Sequence, residues 1–168
     1  MCSSDLLLLS LSLGQQASAI TLVENLSQTN AGADSVGISN YRQGTSFTTS
    51  SGSYNLDSVT LLFRENIASP NLFVRLYSDS SGVPGSQITS FTSPGSITTT
   101  LSQNTFTLTT PQALTPNTTY WLVSGISSGS GNYRWGYTNS FAETGLPGWT
   151  IGDGFVESME LVHFKHGL

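Results

Sequence analysis

Across most of this chain, apolar side chains return at every second position in short bursts, and each burst ends in a cluster of Gly, Pro, Ser or Asn. A period of two puts alternate residues on opposite faces of an extended strand, and the punctuating residues supply the turns between strands. No stretch carries the wider period of an amphipathic helix over a useful length. The pattern predicts an all-β fold.

The individual bursts can be placed. In Leu56 to Arg64, the set Leu56, Ser58, Thr60 and Leu62 alternates with Asp57, Val59, Leu61 and Phe63, so both faces are apolar and the strand is central. Leu72 to Tyr77 follows with Leu72, Val74 and Leu76 on one face and Phe73, Arg75 and Tyr77 on the other. The connection Asn66 to Asn71, NIASPN, is expected to join these two strands as an antiparallel hairpin. Ser78 to Ser86, SDSSGVPGS, is a turn cluster, and further strands are expected at Gln87–Phe91, Thr105–Thr109, Thr119–Ile126 and Tyr133–Thr138. Leu114 to Val123, LTPNTTYWLV, is a Pro-Asn turn feeding a strongly β-prone strand. Strands at spacings of about ten residues without intervening helices predict an antiparallel β-sandwich, jelly-roll-like.

Composition narrows the partners. Only 9% of the 168 residues are charged, and Ser, Thr, Gly and Asn supply most of the polarity, which suits the hydroxyl-rich surface of an extracellular β-protein. The net charge is −5, and the basic residues Arg42, Arg64, Arg75, Arg134 and Lys165 are scattered, so no stripe exists to neutralise nucleic-acid phosphates or an anionic membrane. The single cysteine, Cys2, precedes the apolar run at the start of the chain, so a processed chain would have no thiol for disulfides or catalysis.

Residues 6 to 13, LLLLSLSL, form a short apolar run ahead of GQQ and Ala17-Ser18-Ala19, the small-residue pattern a signal peptidase recognises. The run is too short to span a bilayer. Its atypical feature is the lack of Lys or Arg in residues 1–5, and no lipobox surrounds Cys2. A buried strand is the competing reading; four consecutive leucines ahead of A-S-A favour export. The expected organisation is a signal peptide at 1–19, a β-sandwich at 20–155 and a divergent C-terminal segment at 156–168.

Taken together, LVENLSQTNAG, SFTTSSGSYNLDSVTLLF, VRLYSDSSGVPGS, LTPNTTYWLV and RWGYTNSFAETGLPGWTIGDGF resemble, in order, the choice-of-anchor R domain of cyanobacterial and other bacterial exported proteins. The resemblance covers roughly Leu22 to Phe155, and its most specific parts are LYSDSSGVPGS and the LTPNTTYWLV strand. It implies a signal peptide, one β-sandwich and a C-terminal sorting signal, commonly of PEP-CTERM type. It implies a place in the cell envelope or extracellular matrix, with no enzymatic activity and no catalytic residues to carry over. After Phe155, VESMELVHFKHGL departs from that pattern, with neither the usual closing strand nor a PEP motif, apolar helix and basic tail.

Residues with chemical potential are few. His163 and His166 lie three apart in the divergent tail, where a solvated role is expected rather than a metal. No histidine occurs between Ile20 and Val162 to serve a Ser-His-Asp arrangement, and neither a GxSxG elbow nor a phosphate-binding loop is present. Glycoside hydrolysis needs only two carboxylates, for which Glu143 and Asp153 are the candidates, though each has an ordinary loop or turn role.

Carbohydrate binding is a sharper alternative. Tyr133, Trp135 and Tyr137 would form a row at ~7 Å spacing on one strand face, although the core is the preferred destination for that face. Trp149, between Pro147-Gly148 and Gly152, is the best single candidate for an exposed stacking residue, while Trp121 is expected to be packed. Asp79 and Asp153 are possible ligands of a structural calcium ion, but one carboxylate per loop favours turn capping, and no other cofactor is expected. Asn25 and Asn117 head glycosylation sequons that matter only in a eukaryotic secretory pathway. The sequence thus predicts a non-catalytic structural or adhesive module. Exopolysaccharide or other envelope components are the expected partners.

Overall fold

A computed structural model describes residues 4–5, 7–11, 20–37, 41–158 and 161–164. The described strands are β1 (Ser4–Asp5), β2 (Leu7–Leu11), β3 (Ile20–Glu24), β4 (Gly32–Val36), β5 (Arg42–Thr48), β6 (Tyr54–Ile67) and β7 (Leu72–Asp79). They continue as β8 (Pro84–Phe91), β9 (Ser102–Leu114), β10 (Thr119–Ile126), β11 (Asn132–Thr138), β12 (Thr144–Gly145), β13 (Thr150–Ser158) and β14 (Leu161–Phe164). All pairings are antiparallel and build two sheets. The protein is an all-β sandwich, as the two-residue period predicts.

The long β6 organises the first sheet. It pairs with β9 from Tyr54 to Phe63, with β2 at Ser58–Leu61, and with β11 from Phe63 to Ile67. Its central position was legible, but its two faces are not the sets that strict alternation gives. A register shift against β9 between Leu56 and Ser58 switches parity, so Leu56 joins Val59, Leu61 and Phe63 in the core. The second sheet runs β14-β13-β5-β10-β7-β8. Phe47, Val74, Leu76 and Leu122 project from it to meet Leu22, Val36, Phe106 and Trp135 of the first sheet.

The expected hairpin between the segments flanking NIASPN is not formed. β6 belongs to the first sheet and β7 to the second, so this connection crosses the sandwich. Val59, Leu61 and Phe63 on one strand and Val74 and Leu76 on the other face the same core from opposite sides. The 78–86 turn is also tighter than expected: only residues 80–83 connect β7 to β8, which starts at Pro84. A proline at the first position of a strand leaves its ladder intact.

Leu7–Leu11, read from the sequence as part of a leader, is a strand between β6 and β3, with Leu7 and Leu9 fully buried. Residues 12–19, including Ala17-Ser18-Ala19, lie outside the described residues, as do residues 1–3. At the other end, β13 continues past Phe155 to Ser158 and pairs with β14, which places His163 opposite Val156; His166 lies outside the described residues.

Hydroxyl side chains satisfy one another across strands. Thr48 Oγ1 meets Thr119 Oγ1 at 2.9 Å, and Thr60 Oγ1 meets Thr105 Oγ1 at 2.9 Å. Such pairs contribute roughly 0.2–1 kcal/mol each.

Candidate functional site

β10 is apolar on both faces because it is central, flanked by β5 and β7. Tyr120 and Leu122 point into the main core, so Trp121 and Val123 must point outward. There they meet Phe73 and Tyr77 of β7 and Phe155 of β13, forming a second apolar cluster on a sheet face that is usually polar. Trp121 and Phe155 pack edge to face, with centroids 5.4 Å apart.

Polar groups pin this cluster. The Trp121 Nε1–H donates to Asp79 Oδ1 at 2.7 Å, and both Asp79 oxygens accept from the Gly82 N–H at 3.2 Å. Asp79 therefore ties the β7–β8 turn to the indole beneath it. The Arg75 guanidinium sits 4.0 Å from the Phe73 ring centroid, a cation–π arrangement. A hollow of about 230 Å³ opens beside these groups, lined by Arg42, Tyr77, Val83, Pro84, Gly85, Val123 and Phe155. That is below the ~300–1,000 Å³ of most small-molecule sites.

The sequence-predicted aromatic residues are elsewhere. Tyr133 and Trp135 lie in the main core, their rings 5.9 and 6.1 Å from Phe63, as the core reading of that strand predicts. Tyr137 is half-buried, its ring lying across Gly32 of β4. Trp149, expected to be exposed, is only 4% accessible. Its ring stacks on Phe47 at 6.2 Å and meets Tyr54 edge-on at 5.4 Å. Trp149 immediately precedes β13, and the strand's approach to β5 carries the indole under the sheet; Trp149 is a packing residue, not a surface platform. With Trp121 at 5% and Trp135 at 0%, all three tryptophans are buried.

Glu143 and Asp153 do come together, lining one small hollow with Asn25, Ser140, Phe141 and Ile151. Its volume is about 40 Å³, room for water but not for a sugar ring. Glu143 Oε2 accepts the Ile151 N–H at 2.6 Å, so this carboxylate holds the start of β13. The rim carries Phe141, 79% exposed, the aromatic that sequence reasoning missed. A lone Phe in a polar loop has no period to mark it; the Ser-Phe-Ala context was the only available sign.

Two ionisable groups depart from ordinary behaviour. Burial pushes the Glu24 carboxyl up, but hydrogen bonds from the Thr144 hydroxyl, the Ser27 N–H and hydroxyl, and the Leu26 N–H outweigh it and hold the group below its usual value. Burial pushes the Tyr133 hydroxyl up; its bonds with Ser69 oppose this and the Glu65 charge adds to it. Both are structural positions, on β3 and β11. No group of three or more His, Cys, Asp or Glu side chains gathers as a metal site among the described residues. Among the described residues no helix is long and apolar enough to cross a membrane.

No family model, curated protein or solved structure matches the chain.

Proposed function

We propose that this chain is a non-catalytic structural or adhesive module of the bacterial cell envelope or extracellular matrix. The observation that carries this reading is the burial of all three tryptophans, which leaves none as a sugar-stacking platform. The candidate carboxylates support it too, since Glu143 and Asp79 hold backbone N–H groups of neighbouring turns and strands. Export and the envelope location are supported by the resemblance to choice-of-anchor R domains. Contacts would then be made by broad hydroxyl- and amide-bearing faces rather than by one deep site. Fractionation of bacterial cells producing the tagged full chain tests the location: recovery in envelope or matrix fractions is expected, and confinement to the cytosol would overturn it.

A carbohydrate-binding reading is favoured by one observation, the exposed Phe141 ring beside Asn25, Glu143 and Asp153. Ring stacking with carboxylate acceptors for sugar hydroxyls is the chemistry such a loop offers. Exopolysaccharide is the ligand class. Glycoside hydrolysis at the same carboxylates is the least supported reading, because the hollow between them is too small for a sugar ring.

A further inference from the structure

The Leu7–Leu11 strand has the features of a bound ligand peptide. It pairs on both edges: Leu7, Leu8, Leu9 and Ser10 face Leu61, Thr60, Val59 and Ser58 of β6, and Leu8 to Leu11 face Glu24 to Ile20 of β3 with one register shift. Leu7 and Leu9 enter the main core beside Leu22. A buried side chain from outside the strand fixes its register, because Asn25 Oδ1 accepts the Leu7 N–H at 2.8 Å while the Asn25 N–H donates to the Leu7 carbonyl at 3.2 Å. Among the described residues, β3 and β12 join the first sheet only through this strand. The covalent link between β2 and β3 is residues 12–19, which contain Ala17-Ser18-Ala19.

We propose that the gap between β3 and β6 is a strand-acceptor site for an extended peptide with leucines at alternate positions, occupied by the chain's own residues 7–11. Main-chain bonds on two edges supply affinity, and the pockets taking Leu7 and Leu9 supply register and specificity. This does not rest on the function proposed above.

The test uses the full chain with a specific protease sequence replacing residues 13–18, cut after folding. The N-terminal fragment is expected to co-elute with the remainder under native conditions. A labelled peptide of residues 5–13 is expected to exchange into the cut protein, and its Leu9→Asp version to bind at least tenfold more weakly. Hydrogen exchange on the uncut wild-type chain gives a second reading, with slow exchange expected at residues 7–10 and 58–61. Release of the fragment on cutting with an unchanged unfolding midpoint, equal binding of the Leu9→Asp peptide, or fast exchange across residues 7–10 would each overturn the proposal.

Discussion

The Phe155 ring lies across Gly44, its register partner on β5, so closely that a Cβ on Gly44 would fall inside the ring's van der Waals envelope. Gly125 stands in the same relation to Phe73, whose Cζ would lie 2.7 Å from an added Cβ. The outer aromatic cluster is therefore built on bare backbone. Gly44→Ala is expected to displace Phe155 and cost about 1–3 kcal/mol by chemical denaturation. An unchanged midpoint would mean the ring is not held there.

Trp149 fills core volume between Phe47 and Tyr54. Trp149→Ala should cost about 3–5 kcal/mol. Trp149→Phe should cost clearly less, since it keeps an aromatic ring and removes a buried indole N–H that has no hydrogen-bond partner. Equal losses for the two variants in urea unfolding would argue against this packing.

Acid should loosen the β3–β12 edge. The folded Glu24 carboxyl lies below its ordinary value of 4.5, so its contribution is present above that value and is lost as pH falls through the folded one. Thermal midpoints of wild type and Glu24→Gln should differ near neutral pH and converge in acid. A difference that persists unchanged at low pH would contradict the assignment.

Alkali should act at Tyr133. Its folded hydroxyl lies above the ordinary value of 10.0, so its stabilising effect is complete below pH 10.0 and is lost as pH rises through the folded value. Tyr133→Phe should lose about 0.5–1.5 kcal/mol at neutral pH with the Ser69 bonds, and show a shallower alkaline decline. Ultraviolet titration of tyrosinate should show one late-ionising group that the variant lacks.

Periodicity was informative wherever burial alone decides side-chain direction. Thr119–Ile126 became β10 with the bounds its sequence implies, and Tyr133 and Trp135 went to the core. Alternation tells which residues face inward but not which sheet holds them, which is why β6 and β7, sharing one core, looked like a hairpin. It also cannot anticipate the parity switch between Leu56 and Ser58. Trp149 was misplaced because its Pro-Gly and Gly neighbours mark a loop, whereas its burial depends on Phe47, about a hundred residues earlier in the chain. The leucines of β2 were ambiguous for a physical reason: a short apolar run serves a leader and a buried strand equally well, and nothing in its local sequence records that β3 and β6 pair on either side of it.

The central claim, an envelope or matrix module without a dedicated sugar site, is tested most directly by co-sedimenting the full chain and Phe141→Ala with matrix material and a panel of purified polysaccharides. The account predicts retention on matrix material that Phe141→Ala leaves unchanged, with no reducing sugar released. Selective retention by one polysaccharide that Phe141→Ala abolishes, or hydrolysis of any of them, would contradict it.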